Sequence, residues 1–155
     1  MNKRFPDNPN CMMLANELSK MFHNYLRIES DRRGINASYR PIIMRLMYED
    51  GLTQLELCKR THMSAPTISL TLQKMEIEGL ITRKENENDK RRTNIFITEN
   101  GKKLDLKMRS IVDELDKYIF INIDLDKLNI AKDVLKKMML NMESAGGMIL
   151  HEKNS

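Results

Sequence analysis

Two helix-start signals lie eleven positions apart, at Thr53 and Ser64, and a charged hairpin pattern follows them. Thr53 with Glu56 forms a capping box: the hydroxyl accepts from a free amide of the first turn and the carboxylate reaches back to the cap. Leu52 and Leu57 flank it at the positions of a hydrophobic staple. Ser64 repeats the pattern, with Met63 and Ile68 as its staple pair. Pro66 sits in the first turn, where amides lack intrahelical partners. The first helix is predicted to end near Arg60, and the second to run from Ala65 to about Glu78 before Gly79, a residue suited to a left-handed cap. Leu80–Glu85 reads as a strand, Asn86–Arg92 as a polar tip and Thr93–Ile97 as the returning strand. Thr98 caps the next helix. Two short helices joined by a tight turn (53–78) and followed by a hairpin (80–97) predict a winged helix-turn-helix, with one surface for each groove of a duplex.

Helical patterns occupy most of the remaining chain. Residues 10–31 repeat Met13, Leu14, Leu18, Met21, Phe22, Tyr25 and Leu26 at spacings of three and four, until Gly34 and Asn36 break the pattern. Ser38 is the expected cap of a second helix carrying Ile42, Ile43, Leu46 and Met47 and ending at Asp50-Gly51. The helix after Thr98 is predicted to reach about Asn122, and Asp124 to cap a last helix ending near Ser144, before Gly146-Gly147. The fold class is therefore mainly α with a small β-hairpin wing, a winged helix-turn-helix plus a helical dimerisation platform. The DNA-binding region is expected at 35–98, with its helix-turn-helix at 53–78 and its wing at 80–97. The platform is expected from 8–34 and 99–146, and a flexible tail at 147–155. Two-fold readers match palindromic sites, so the platform points to a homodimer.

Composition narrows the function classes. A formal net charge of +4 and a pI near 9.1 favour a polyanionic partner. Two cysteines make no disulfide framework. The N-terminus lacks the apolar core of a signal peptide, and no apolar run approaches membrane-spanning length. A cytoplasmic protein without membrane attachment is expected. His23, His62 and His151 are scattered, so no metal site is predicted. No glycine-rich phosphate loop, nucleophile elbow or His–carboxylate pairing supports an enzyme, and no cofactor is expected. A winged helix that binds protein partners would present an acidic or apolar recognition face. This one is polar and carries Lys74, with Lys90–Arg92 beside it. Thirteen methionines supply much of the apolar volume, which suits an adaptable core or pocket.

The candidate DNA contacts follow from helix and wing position. Ile68, Leu72 and Met75 share the inward face of the second motif helix, which leaves outward directions to Thr67, Ser69, Thr71, Gln73 and Lys74. Ser64, Ala65, Pro66, Thr67 and Ser69 lie at its N-terminal end, where free amides and the helix dipole attract phosphate. Gln73 and Lys74 reach further, to base edges or phosphates. At the wing tip Lys90, Arg91 and Arg92 fit the negative potential of a minor groove. Asp89 is expected to hold a neighbouring arginine through a bidentate pair. Arg83 and Lys84 add charge facing the phosphates.

The chain resembles the MarR family of bacterial winged helix-turn-helix regulators. The family hallmark is Asp-x-Arg, an aliphatic pair, Thr and Gly at fixed spacing. Here these positions hold Asp89, Arg91, Ile95, Ile97, Thr98 and Gly101. Pro66-Thr67-Ile68-Ser69, Met75-Glu76 and Gly79-Leu80-Ile81-Thr82-Arg83 match further family segments, and the layout covers nearly the whole chain. The resemblance implies a homodimer whose recognition helices enter major grooves of a palindromic operator while Arg91 reaches a minor groove. It also implies a repressor relieved by a small phenolic or other apolar effector bound between the DNA-binding head and the platform. Phe22, Tyr25, Arg40, Met44 and Met47 are the expected pocket residues, Arg40 supplying a cation for an acidic ligand. A peroxide-sensing branch of the family carries a reactive cysteine near the start of the first helix, hydrogen-bonded by tyrosines. Cys11 lies near that place with Tyr25 on the same side, but Ala15 stands one turn on, where a tyrosine partner belongs.

Overall fold

The computed structural model describes residues 8–86 and 89–152. Six helices occur in this span: α1 (Cys11–Arg32), α2 (Arg40–Tyr48), α3 (Gln54–Thr61), α4 (Ala65–Ile77), α5 (Glu99–Ile119) and α6 (Leu125–Glu152). Three strands, β1 (Leu52–Thr53), β2 (Ile81–Glu85) and β3 (Thr93–Ile97), form one antiparallel sheet in the order β1-β3-β2. The mainly helical fold class with its hairpin wing is the observed one. The chain divides into two compact units, Met1–Leu115 and Asp116–Ser155.

The first unit is built on a core whose members recur at helical and strand spacing. Ile42, Ile43 and Leu46 of α2, Leu57 of α3 and Ile68, Leu72 and Met75 of α4 are fully enclosed, together with Ile95 of β3. Leu26 of α1 and Met108 and Ile111 of α5 complete the same cluster. The expected division at residue 98 therefore does not follow the packing: most of α5 and the C-terminal half of α1 share the core of the winged motif. Gly101 shows why the junction is tight. A Cβ there would stand 2.3 Å from the Leu80 carbonyl oxygen and 2.6 Å from Ile97 Cγ1. Arg33, just beyond α1, pairs with Glu114 of α5 at 2.6 Å and ties the two helices at the surface.

The local signals operate as the sequence indicates, with three exceptions. The Thr53 amide and hydroxyl donate to Glu56 Oε2 at 2.8 and 2.6 Å, and the Glu56 amide returns a bond to the Thr53 hydroxyl. The Ser64 hydroxyl accepts from the Thr67 amide, and Gly79 takes the left-handed conformation at φ +67°. Thr98 Oγ1 accepts from the Gly101 amide while donating to the Gly79 carbonyl at 2.6 Å, so one hydroxyl caps α5 and holds the turn after α4. Asp124 caps α6 through the Asp126 amide.

Ser38 is the first exception. Asn36 Oδ1 accepts from both the amide and the hydroxyl of Ser38, and a single 3-10 turn, Ala37–Tyr39, precedes α2. Asparagine wins because its longer side chain bonds the backbone two residues on, an Asx turn. The second is β1, a two-residue strand that pairs Leu52 with Ile95 and makes the wing three-stranded. The third is α6, which continues through Gly146-Gly147 to Glu152, so the helix extends into the segment expected as a tail. Glycine inside a helix costs about 1 kcal/mol and stops it only where a left-handed cap is used. Residues 153–155 of that segment lie outside the described residues.

Candidate nucleic-acid interface

The recognition surface begins at the turn between α3 and α4. His62 closes α3 in the left-handed conformation at φ +56°, and Ser64 starts α4 two residues later. Ser64, Ala65, Pro66, Thr67, Gln73 and Lys74 are exposed along α4, and Ser69 is partly so. The Ser64 and Thr67 hydroxyls lie 2.7 Å apart, a polar pair over the first turn. Thr71 departs from the expectation of an outward side chain. It is buried, and its hydroxyl donates to the Thr67 carbonyl at 2.7 Å, the back-bonding that satisfies a hydroxyl inside a helix.

The wing is anchored at its base. Asp50 Oδ1 accepts from the Gly51 and Ile97 amides at 3.1 and 2.9 Å, anchoring the end of β3. Gly51 adopts φ +77° beneath Phe96, whose ring leaves no room for a Cβ (2.9 Å). The Lys84 ammonium lies over the other strand's Phe96 ring, 5.3 Å from its centre, a cation–π contact that stiffens the hairpin. Towards the tip, Asn86 Nδ2 donates to Asn94 Oδ1, and Asn86 Oδ1 accepts from the Asp89 amide. Lys90, Arg91 and Arg92 are all exposed beyond this frame.

Asp89 does hold an arginine, but the pairing differs from the expected bidentate one. Its Oδ2 lies 3.3 Å from Arg92 Nε, and its Oδ1 accepts the Arg91 backbone amide at 3.1 Å. The Arg92 amide also donates to the Asp89 carbonyl at 2.9 Å, closing the turn over 89–92. Asp89 thus sets the Arg91 backbone and leaves its guanidinium outward. Arg83 is likewise committed, with Nε 2.9 Å from Glu76 Oε2 on α4. It joins hairpin to recognition helix instead of facing solvent, because the β2 register turns it towards α4 beside Ile95.

A second feature of the first unit is a cleft of about 530 Å³ bounded by α2 and α5. Of the expected pocket residues, Arg40, Met44 and Met47 line it. Phe22 and Tyr25 do not: both pack on the core from α1, and the Arg40 guanidinium lies 5.8 Å from the Phe22 ring centre. Tyr48, Asp105, Arg109 and Asp113 line the cleft as well and were not foreseen. The buried Asp105 carboxylate (3% exposed) pairs with Arg109 Nε at 2.6 Å. Burial pulls the Arg40 guanidinium below its ordinary value, and the Asp105 charge opposes that shift. An i, i+4 Asp–Arg pair on α5 is a signal that the sequence did contain.

Cys11 opens α1 and is exposed. Tyr25 stands fourteen residues further along the same helix, about 21 Å away at the rise of an α-helix, so it is no hydrogen-bond partner within the chain. Cys58 packs, partly buried, against the core. Among the described residues no group of His, Cys, Asp and Glu is arranged to hold a metal ion, and no helix is long and apolar enough to cross a membrane.

Comparison with known proteins gives the same motif. Residues 33–92 match a family model described as the MarR family. The uncharacterized HTH-type transcriptional regulator YdgJ of Bacillus subtilis (strain 168) is 22% identical over 111 residues, covering 72% of this chain and 68% of that protein. A MarR transcriptional regulator from Methanosarcina mazei Go1 is similar in structure with a TM-score of 0.73 at 29% identity, over 83% of this chain and 93% of that one. The S. aureus MepR–DNA complex is similar with a TM-score of 0.72 at 26% identity, over 86% of this chain and 99% of that one. With its capped helix-turn-helix and anchored wing, the chain carries a MarR-family match over residues 33–92 and is similar in sequence and structure to transcriptional regulators of that family.

Proposed function

We propose that the chain is a homodimeric repressor that binds a palindromic operator and is released by a small-molecule effector. The observation that carries the DNA reading is that one core presents both an exposed polar helix end and an exposed cationic tip. Ser64, Thr67, Gln73 and Lys74 are exposed on α4, and Lys90, Arg91 and Arg92 are exposed on the wing, while Arg83 and Lys84 are already engaged. Free amides at the start of α4 and its hydroxyl pair suit phosphate, Gln73 and Lys74 suit base edges, and Arg91 suits a minor groove. The likeness to a MepR–DNA complex supports the same mode of binding.

The dimer is supported by the second unit. Leu128, Ala131, Leu135, Met138 and Met142 repeat on α6 at alternating spacings of three and four, a seam suited to another helix. The effector is supported by the cleft, whose volume is that of a small-molecule site. Met44 and Met47 give it adaptable apolar walls. Arg40, with no carboxylate at ion-pair distance among the described residues, gives an acidic or phenolic ligand its cation.

A gel-shift titration against duplexes from upstream of the chain's own gene tests the DNA reading. A specific complex that weakens steeply with salt is expected. No preference over unrelated duplex at low salt would contradict it. Thermal-shift screening of phenolic acids, with and without that duplex, tests the effector. Ligands that raise the melting temperature of the free protein should lower DNA occupancy, and a bound ligand that leaves occupancy unchanged would refute release.

A further inference from the structure

The face that α4 turns to solvent is not wholly polar. Leu70 is 56% exposed, while Ile68, Leu72 and Met75 on the same helix are fully buried. At about 3.6 residues per turn, the buried three centre on one side of α4 and Leu70 falls close to the middle of the opposite side. Pro66 and Thr67 stand one turn before it, and Gln73 and Lys74 one turn after it; all four are exposed. A large aliphatic side chain is therefore framed by groups suited to phosphates and base edges. Neither helix propensity nor core packing calls for leucine there, since glutamine, lysine or alanine would serve α4 as well.

We propose that Leu70 is a specificity-determining contact, reading the C5-methyl group of a thymine in the major groove. The proposal rests on the DNA-binding reading of α4. The four bases differ in the major groove by hydrogen-bonding groups and by one apolar feature, the thymine methyl, which only an apolar side chain rewards. Leucine offers two methyl groups and no hydrogen-bonding atom. Against a cytosine amino group or a guanine carbonyl it desolvates a polar edge without replacing the lost bond. Leu70 thus selects by favouring one base and penalising others. The flanking Thr67, Gln73 and Lys74 fix the depth and register at which it meets the base pair. Charge complementarity selects nucleic acid over a protein partner as the occupant: the surrounding face carries Lys74, and the exposed cations of the wing tip belong to the same unit.

The test uses the full chain and thymine-to-uracil exchange, which removes the methyl group and leaves the hydrogen-bonding pattern intact. A preferred duplex is first selected from a random-sequence pool with the wild-type protein, and each thymine is then replaced singly by uracil. At one thymine of the half-site, uracil should weaken wild-type binding about fourfold, the factor expected for a single buried methyl. Leu70→Ala should bind the thymine duplex less tightly and lose sensitivity to uracil at that position, while keeping the wild-type melting temperature and circular dichroism. If uracil has no effect at any thymine, or weakens Leu70→Ala as much as wild type, the role of Leu70 is overturned and DNA binding stands. If selection returns no preferred sequence, the DNA reading fails and the role of Leu70 fails with it.

Discussion

The α4–wing region and helix α6 solve the problem of apolar surface in opposite ways. On α4 and the sheet, Ile68, Leu72, Met75 and Ile95 are enclosed within a single chain, and each turn is closed by a named side chain. From Leu125 to Ala145 of α6, no side chain is buried, although Leu125, Val134, Leu135, Met139, Leu140 and Met142 are all large and apolar. One region is complete as a monomer; the other has the composition of an interface without its second half. Burial of apolar area is the main favourable term in folding and association, so the two regions should respond to substitution in different observables. The first should lose stability, and the second should lose assembly.

The largest effect expected on the complete side is Leu72→Ala. Leu72 is fully buried, so truncation should cost roughly 2–5 kcal/mol in urea unfolding. Next is Gly101→Ala, whose new methyl meets the Leu80 carbonyl, a backbone atom that cannot step aside. A loss of roughly 1–3 kcal/mol is expected, and an unchanged denaturation midpoint would show that the junction of wing and α5 yields more easily than its geometry implies.

On the incomplete side, Leu135→Glu should leave the helical circular dichroism of the protomer intact while weakening self-association at least tenfold, on the order of 1.4 kcal/mol. Sedimentation equilibrium separates the outcomes: loss of helix instead of loss of dimer would erase the contrast between the regions. A smaller effect is expected from Thr53→Ala, about 1 kcal/mol for the lost cap. It carries a pH signature. The Thr53 hydroxyl, then its amide, hold Glu56 below its ordinary value of 4.5. A folded value lower than the unfolded one stabilises the native state above the unfolded pKa, and that contribution fades as pH falls through the folded value. Wild type should therefore lose more of its stability than Thr53→Ala between pH 5 and pH 3, the ordinary carboxylate range.

The smallest change expected is Arg91→Ala, which touches neither core nor seam. It should leave unfolding unchanged and reduce the salt slope of DNA binding by about 0.9 per wing. Asp89→Ala should also weaken binding, although it makes the chain more basic, because Asp89 sets the Arg91 backbone and pairs with Arg92.

The parts of the molecule legible in the sequence are those with local codes. Thr53-x-x-Glu56, Ser64 with Pro66, and Gly79 state their helix boundaries within a few residues. The apolar alternation around Ile95 and Ile97 states the returning strand. What escaped was set by partners distant in the chain. β1 exists because Leu52 meets Ile95, and Arg83 joins the hairpin to α4 because Glu76 receives it. The Asx turn at Asn36 outcompeted Ser38 through geometry that residue type alone does not reveal. The cleft was half legible: the pattern of α2 supplied Arg40, Met44 and Met47, but assigning Phe22 and Tyr25 required knowing which way α1 faces. Leu70 is legible in principle, since helical spacing places it opposite Leu72.

The proposed two-fold DNA reader joins a reading head complete within one protomer to a seam on α6. Sedimentation equilibrium of the full chain, alone and with a selected palindromic duplex, tests it most directly. A homodimer is expected in the absence of DNA and two protomers per duplex in its presence. A monomer at micromolar concentration that binds the duplex one to one would contradict it.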